Sequence, residues 1–187
     1  MTGTGSSRST HPSYARAVRG LPTVVLRRVG SRAWQRSRER PFPFSAALTG
    51  ELRRRGFSPC LLSGSAEEAV VCAAEEPAMD HVRGMRLASA AGRRTGRVLR
   101  APARPGGKRS TLLETTSHLS VDRAGSFAIG DSASDIEVLD MAGTSLAFEP
   151  DPALLAAARS RNWPVADRSS VLRHGRARRP RTPAGHG

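Results

Sequence analysis

Phe127-Ala128-Ile129-Gly130-Asp131-Ser132-Ala133-Ser134-Asp135 is a short apolar run that breaks on a glycine and is followed by two aspartates four positions apart. The run beginning at Ser126 reads as a buried strand, and Gly130 lets the backbone turn tightly off its end. Ser134 to Ala142 then reads as a helix. The two carboxylates therefore sit where a strand hands over to a helix. There they can face one way and hold a hard cation through oxygen. Mg²⁺ suits such a pair because it takes one or two carboxylates and completes its shell with water and phosphate. Equally, Asp131 and Asp135 can simply cap and charge the start of the helix. Spacing alone leaves both readings open.

Working outward, Thr144 to Phe148 reads as a second strand. Asp151-Pro152 opens an Ala-rich helix to Arg161, with the aspartate as N-cap and the proline in the first turn. Val165-Ala166 closes a last short strand. Upstream, Ala47, Leu48 and Leu52 fall at helical spacing between Phe44 and Arg55, and Gly56 stops that helix. Phe57 to Leu62 reads as a strand delivering Ser63-Gly64-Ser65, and Ala66 to Glu75 as a helix with acids in its first turn. Met85 to Ser89 and Gly96 to Arg100 are strands joined by the turn Ala91-Gly92-Arg93. Gly106-Gly107 precedes a helix from Lys108 to Ser117. This alternation predicts an α/β domain, a mostly parallel sheet flanked by helices. In such sheets chemistry sits beyond the carboxyl ends of the strands, where Ser63-Gly64-Ser65 and Gly130-Asp131 both fall.

Those two strand ends and one lysine supply the candidate site. Ser63 and the Gly64 amide, at a helix start, can cradle a phosphate, or they form an ordinary Ser/Gly turn. Lys108 is the only lysine among 30 basic residues. A compact ammonium can pair with a phosphoryl oxygen and a carboxylate together, although a solvated surface lysine would look the same in sequence.

The net charge of +14 is unevenly spread. Residues 1–55 hold 12 Arg against Glu39 and Glu51, and residues 168–187 hold six Arg and no acid, whereas residues 56–167 carry 12 basic and 14 acidic side chains. This divides the chain into an Arg-rich segment at 1–40 expected to be disordered or divergent, a core at 41–167, and a basic disordered tail at 168–187. Basic ends can contact nucleic acid or another polyanion, but no basic helix interleaved with aromatics marks a dedicated module, and nucleic acid is not the expected partner. No apolar run reaches the roughly 18 residues of a membrane span. Cys60 and Cys72 form no disulfide framework or CxxC pair, so free, buried thiols and a cytoplasmic protein are expected.

Taken in order, these motifs resemble the haloacid dehalogenase superfamily, in the branch of phosphoserine phosphatase and similar phosphomonoesterases. The resemblance runs over about 42–167. It is carried by Leu61-Leu62-Ser63-Gly64-Ser65-Ala66-Glu67-Glu68, by Gly107-Lys108, and by Ala128 to Leu139 continuing through Ala142-Gly143. Gly92 to Arg97, Pro152-Ala153-Leu154 and Trp163-Pro164-Val165 also fit. The resemblance implies a Rossmann-like domain, Mg²⁺ as cofactor, a phosphorylated small molecule as substrate, and transfer through an aspartyl-phosphate. Ser63 and Gly64 would hold phosphoryl oxygens, Lys108 would neutralise charge, Asp131 would ligate the metal, and Asp135 would support it or its waters.

One part of the pattern is missing. The family carries an Asp-x-Asp upstream of the serine motif, on a strand central to its sheet, and the first of these aspartates is the nucleophile. In this chain no aspartate precedes Asp80, and the only carboxylates before Ser63 are Glu39 and Glu51. Thr23-Val24-Val25-Leu26 is the best stand-in for the strand, which would put Arg27 and Val29 in the aspartate positions. Only 32 positions separate Ser31 from Ser63, too few for the helical cap that relatives insert there. The expectation is therefore a truncated or degenerate domain, a pseudoenzyme with no catalytic nucleophile, unless an aspartate comes from another chain or from coding sequence upstream. The alternative is a non-enzymatic protein that binds phosphate or a polyanion through its Arg-rich ends.

Overall fold

The computed structural model describes residues 10–36, 44–75 and 78–176. Pro59 withholds a backbone donor, so the first strand, β1, starts only after it and runs Cys60–Ala66. The sequence expectation had placed this strand three residues earlier. β1 pairs in parallel with β2 (His81–Ala90), matching Cys60 with His81, Leu61 with Val82 and Leu62 with Arg83. The register then shifts before Ala66, so Ser63-Gly64-Ser65 occupies the irregular part of the strand rather than a loop beyond it. β2 turns back into β3 (Arg93–Arg100) through Ala91 and Gly92, whose φ angles of 47° and 72° suit a tight two-residue hairpin.

A second sheet is wholly parallel: β4 (Phe127–Gly130), β5 (Thr144–Phe148) and β6 (Val165–Ala166). Helices flank both sheets, as the alternating pattern implied: α3 (Ser45–Arg54), α4 (Glu67–Ala74), α5 (Gly107–Thr116), α6 (Ile136–Met141) and α7 (Pro152–Ser160). Asp151 caps α7 through an oxygen that accepts from the Leu154 amide at 2.7 Å. β5 is apolar on both faces. One face packs Leu146 and Phe148 with Leu48, Leu52, Ala166 and Val171, and the other packs Ala147 with Leu139, Leu154 and Ala158. A strand buried on both faces is the usual condition of a parallel sheet.

Both terminal segments carry structure that the composition did not suggest. Residues 1–40 were expected to be disordered or divergent; within them α1 (Thr10–Ala17) and α2 (Thr23–Arg36) are helices. Val24 to Val29, the candidate replacement strand, lies inside α2. The β-branched valines argue locally for a strand, but packing decides otherwise. Leu26 and Gly30, one helical turn apart, are the buried residues of α2, and Val24 and Val29 face solvent. A Cβ at Gly30 would stand 3.0 Å from the Glu68 carbonyl oxygen, so the missing side chain is what lets α2 lie on the backbone of α4. Ala15, Val18 and Leu26 form a small core with Leu87 of β2. In the basic segment at 168–187, α8 (Val171–Arg176) is likewise ordered, and Val171 is fully buried beside α3. The boundary signal at Pro41-Phe42-Pro43 lies outside the described residues.

The sheet is divided. Among the described residues β1 is hydrogen-bonded to β2 alone and β4 to β5 alone, so each is an edge strand of its three-stranded sheet. These two edge strands line the same cavity of about 1330 Å³.

Candidate functional site

The cavity brings together every site residue expected from sequence: Ser63, Gly64, Lys108, Asp131 and Asp135 all line it. The polypeptide leaves β4 at Gly130 and folds back so tightly that a Cβ there would lie 2.4 Å from the Cβ of Asp135. Only glycine permits that approach. It places Asp135 in a single 3-10 turn, Ala133–Asp135, directly behind the strand end. One carboxylate oxygen of Asp135 accepts from the Asp131 amide at 3.3 Å, the Ser132 amide at 3.2 Å and the Ser132 hydroxyl at 3.0 Å. The other accepts from Lys108 Nζ at 2.5 Å. Both side chains of this ion pair are nearly buried, at 10% and 13% exposure.

Lys108 reaches Asp135 from the first turn of α5, which the left-handed Gly106 (φ 71°) introduces. It is therefore not a solvated surface lysine. Asp131 is in the opposite situation. It stands at the cavity mouth, and among the described residues it enters no ion pair. Desolvation by the cavity wall, with the nearby Asp135 charge adding to it, raises its carboxyl above the usual aspartate range, and Lys108 only partly offsets this. Ser63 Oγ accepts from the Ser65 amide at 3.2 Å. A Cβ at Gly64 would stand 2.7 Å from that of Ala103, so glycine lets the loop ahead of α5 close over β1.

Donor chemistry bears on the capping and metal-binding readings of the two aspartates, and Asp135 does take part in a capping box with Ser132. Asp135 is already engaged at both oxygens, by a lysine and three hydrogen-bond donors, and fits a positioning role. Asp131 offers an open carboxylate whose charge is unfavourably placed without a cation. One such carboxylate, with room for water and phosphate beside it, fits the modest protein ligand set of Mg²⁺. Among the described residues no group of three or more His, Cys, Asp or Glu is placed to hold a metal ion.

Sequence reading missed some of the framework. Asp151, expected only as a cap, also accepts from the Ala133 amide at 2.9 Å, and its own amide donates to the Asp131 carbonyl at 2.9 Å, clamping the loop between the aspartates. Arg100, almost buried, bonds Glu67 at 2.7 Å and Glu114 at 2.9 Å, tying β3 to α4 and α5. No local motif announces such links; a lone acid or arginine at an element end is the only signal. Asp122 is a further carboxylate on the cavity wall. Arg27 and Val29 are not on the wall: they lie on α2, which contributes nothing to the cavity lining. Cys60 lines the cavity, but burial pushes its thiol up to about 11, which leaves little thiolate near neutral pH.

An α/β domain with a lysine-aspartate pair and an open aspartate at the carboxyl ends of its strands defines the class, and the chain belongs to the haloacid dehalogenase-like hydrolases, whose family pattern matches residues 3–140. Within that superfamily it falls in the phosphoserine-phosphatase-like branch. It is 31% identical over 135 residues to phosphoserine phosphatase SerB2 of Mycobacterium tuberculosis, covering 72% of this chain and 32% of that protein. It is 35% identical over 107 residues to phosphoserine phosphatase of Halobacterium salinarum, covering 56% of this chain and 50% of that one. The chain thus spans half or less of the length of these two relatives. A solved phosphoserine phosphatase holding a phospho-aspartyl intermediate analogue shares the fold, with a TM-score of 0.62 at 21% identity over 87% of this chain and 75% of the other. No helix among the described residues is long and apolar enough to cross a membrane.

Proposed function

We propose that the chain is a phosphatase-like domain that binds a phosphorylated small molecule and Mg²⁺ in this cavity, with little or no turnover by itself. The observation that carries the reading is that Ser63, Gly64, Lys108 and Asp131 line one cavity, with Asp135 held by Lys108. Ser63 Oγ and the Gly64 amide would bond the phosphoryl oxygens. Lys108 would lend positive charge to them while held in place by Asp135. Asp131 would ligate Mg²⁺, and the bound ion would draw charge off the phosphoryl group. These parts bind and polarise a phosphate ester but do not attack it.

The proposed inactivity rests on the missing nucleophile. Covalent transfer needs a carboxylate or other nucleophile aimed at phosphorus. The chain has no aspartate before Asp80, Asp135 is engaged, and the Cys60 thiol is held protonated. With inorganic phosphate and Mg²⁺, calorimetry should show binding that Lys108→Met and Asp131→Ala both weaken at least tenfold. With a generic aryl phosphate and Mg²⁺, turnover should stay near background. Turnover that disappears in Asp131→Ala would overturn the inactive reading and point to Asp122 or to an aspartate from another chain. As a phosphatase-like domain it would work in the cytoplasm. A polyanion-binding role is the second reading, and the exposed Arg27, Arg28 and Arg32 along α2 favour it. Salt-sensitive binding to DNA that survives removal of the basic ends would contradict the placement of excess charge there.

A further inference from the structure

We infer that Tyr14 reads the organic part of the bound phosphate ester, its phenol hydroxyl donating a hydrogen bond to an uncharged oxygen, a hydroxyl or a carbonyl, on the ligand. This rests on the phosphate-binding reading of the cavity and names the class of ester it takes. Tyr14 is the one described residue of α1 and α2 that lines the cavity. It is also the only tyrosine in the chain.

The ring is fixed from behind. It packs, partly buried, on the cluster of Ala15, Val18, Leu26 and Leu87, which joins the two N-terminal helices to β2. Among the described residues its hydroxyl makes no hydrogen bond, although a tyrosine anchored in this way usually finds a partner. The charged groups that act on it, Glu68 and Arg94, are committed elsewhere. They form a nearly buried ion pair with each other. Arg94 also donates to the Leu87 carbonyl at 2.6 Å and to the Ser89 hydroxyl at 2.8 Å, and its Nε is shut off from solvent. Burial, and then the Glu68 charge, raises the phenol above its ordinary pKa, with Arg94 offsetting part of this. At neutral pH the group is therefore an uncharged hydroxyl, able to donate.

The same surroundings set the class of acceptor. A carboxylate on the ligand would face Glu68, while the guanidinium that could balance it is already paired. A hydroxyl or carbonyl meets no such penalty. The reach agrees: Glu68 stands five residues beyond Ser63, at most roughly 17 Å of extended chain, and the entry into α4 shortens that path. An ester of a short polyol or of a hydroxylated carbonyl compound thus fits better than one carrying an amino acid's carboxylate.

The test uses the full chain with Mg²⁺, inorganic phosphate, and the phosphate esters of glycerol, propanol and serine, which share a three-carbon skeleton. Calorimetry should show glycerol phosphate bound at least about fivefold more tightly than propyl phosphate or phosphoserine, the worth of one hydrogen bond. Tyr14→Phe should erase that preference and leave both the affinity for inorganic phosphate and the melting temperature unchanged. A second readout needs no variant. With carbon-13 at Cζ of the lone tyrosine, its single resonance should shift with glycerol phosphate and stay in place with inorganic or propyl phosphate. Equal binding of the glycerol and propyl esters, a preference for phosphoserine, a preference that survives Tyr14→Phe, or a resonance that does not move would each overturn the inference and leave the phosphate site standing. No binding of inorganic phosphate by the native chain would instead overturn the phosphate reading, and this inference with it.

Discussion

Replacing Asp135 with asparagine keeps the shape of the side chain and one acceptor for the Asp131 and Ser132 amides, but removes the counter-charge of Lys108. The pair is nearly buried, with side-chain exposures of 10% and 13%, and its bond is 2.5 Å long. Breaking such a pair by removing one partner costs about 3–5 kcal/mol, because the remaining charge stays out of water. For a domain of this size each kcal/mol moves the melting temperature by roughly 2–4 °C. Asp135→Asn should therefore lower it by roughly 6–20 °C, and urea midpoints should fall in step. The double variant Lys108→Met with Asp135→Asn removes the stranded charge and should recover about 2 kcal/mol or more relative to the sum of the single changes. Denaturant melts of wild type, both single variants and the double one complete the cycle. Additive losses, or a single-variant cost below about 1 kcal/mol, would show that Lys108 keeps its charge solvated and that the buried pair is misread.

Gly130→Ala should destabilise the chain by about 1–3 kcal/mol in a urea melt, since a Cβ 2.4 Å from that of Asp135 can be admitted only by moving the loop. Acid should weaken the link between β3 and α5. Its hydrogen bonds with Arg100 hold Glu114 below its ordinary pKa. A depressed carboxyl contributes stability above its unfolded value and loses it as pH falls through the folded one. Urea midpoints should thus drop on going below about pH 4.5, and Glu114→Gln should flatten that part of the profile. With its thiol pushed up to about 11, Cys60 should react with iodoacetamide at pH 8 on the order of a hundredfold slower in the native chain than in urea.

Most helices and strands were legible because their signals are local. A short apolar run marks β5, helical spacing marks α3, an Ala-rich run marks α7, and Gly56, Gly92 and Asp151-Pro152 punctuate them. The candidate site was legible for a different reason. Asp131 and Asp135 follow the end of β4, Lys108 opens α5, and Ser63-Gly64 sits just ahead of α4, so each lies close to the start of a helix. Lys108 stood out only because every other basic residue is arginine.

What local signals could not decide was which surfaces meet. Val24-Val25 favours a strand in isolation, and only the fit of Leu26 and Gly30 against α4 makes Thr23–Arg36 a helix. Val171 was placed in a tail because a lone apolar pair, Val171-Leu172, in a basic segment carries no period, yet contact with α3 buries Val171 completely. The sequence by itself determined most of the order of elements between α3 and β6, the resemblance to the family, and the absence of any aspartate before Asp80 in this chain. Only the tertiary structure decided that β1 and β4 end separate sheets on either side of one cavity, because strand pairing joins distant segments through backbone groups that every residue has in common.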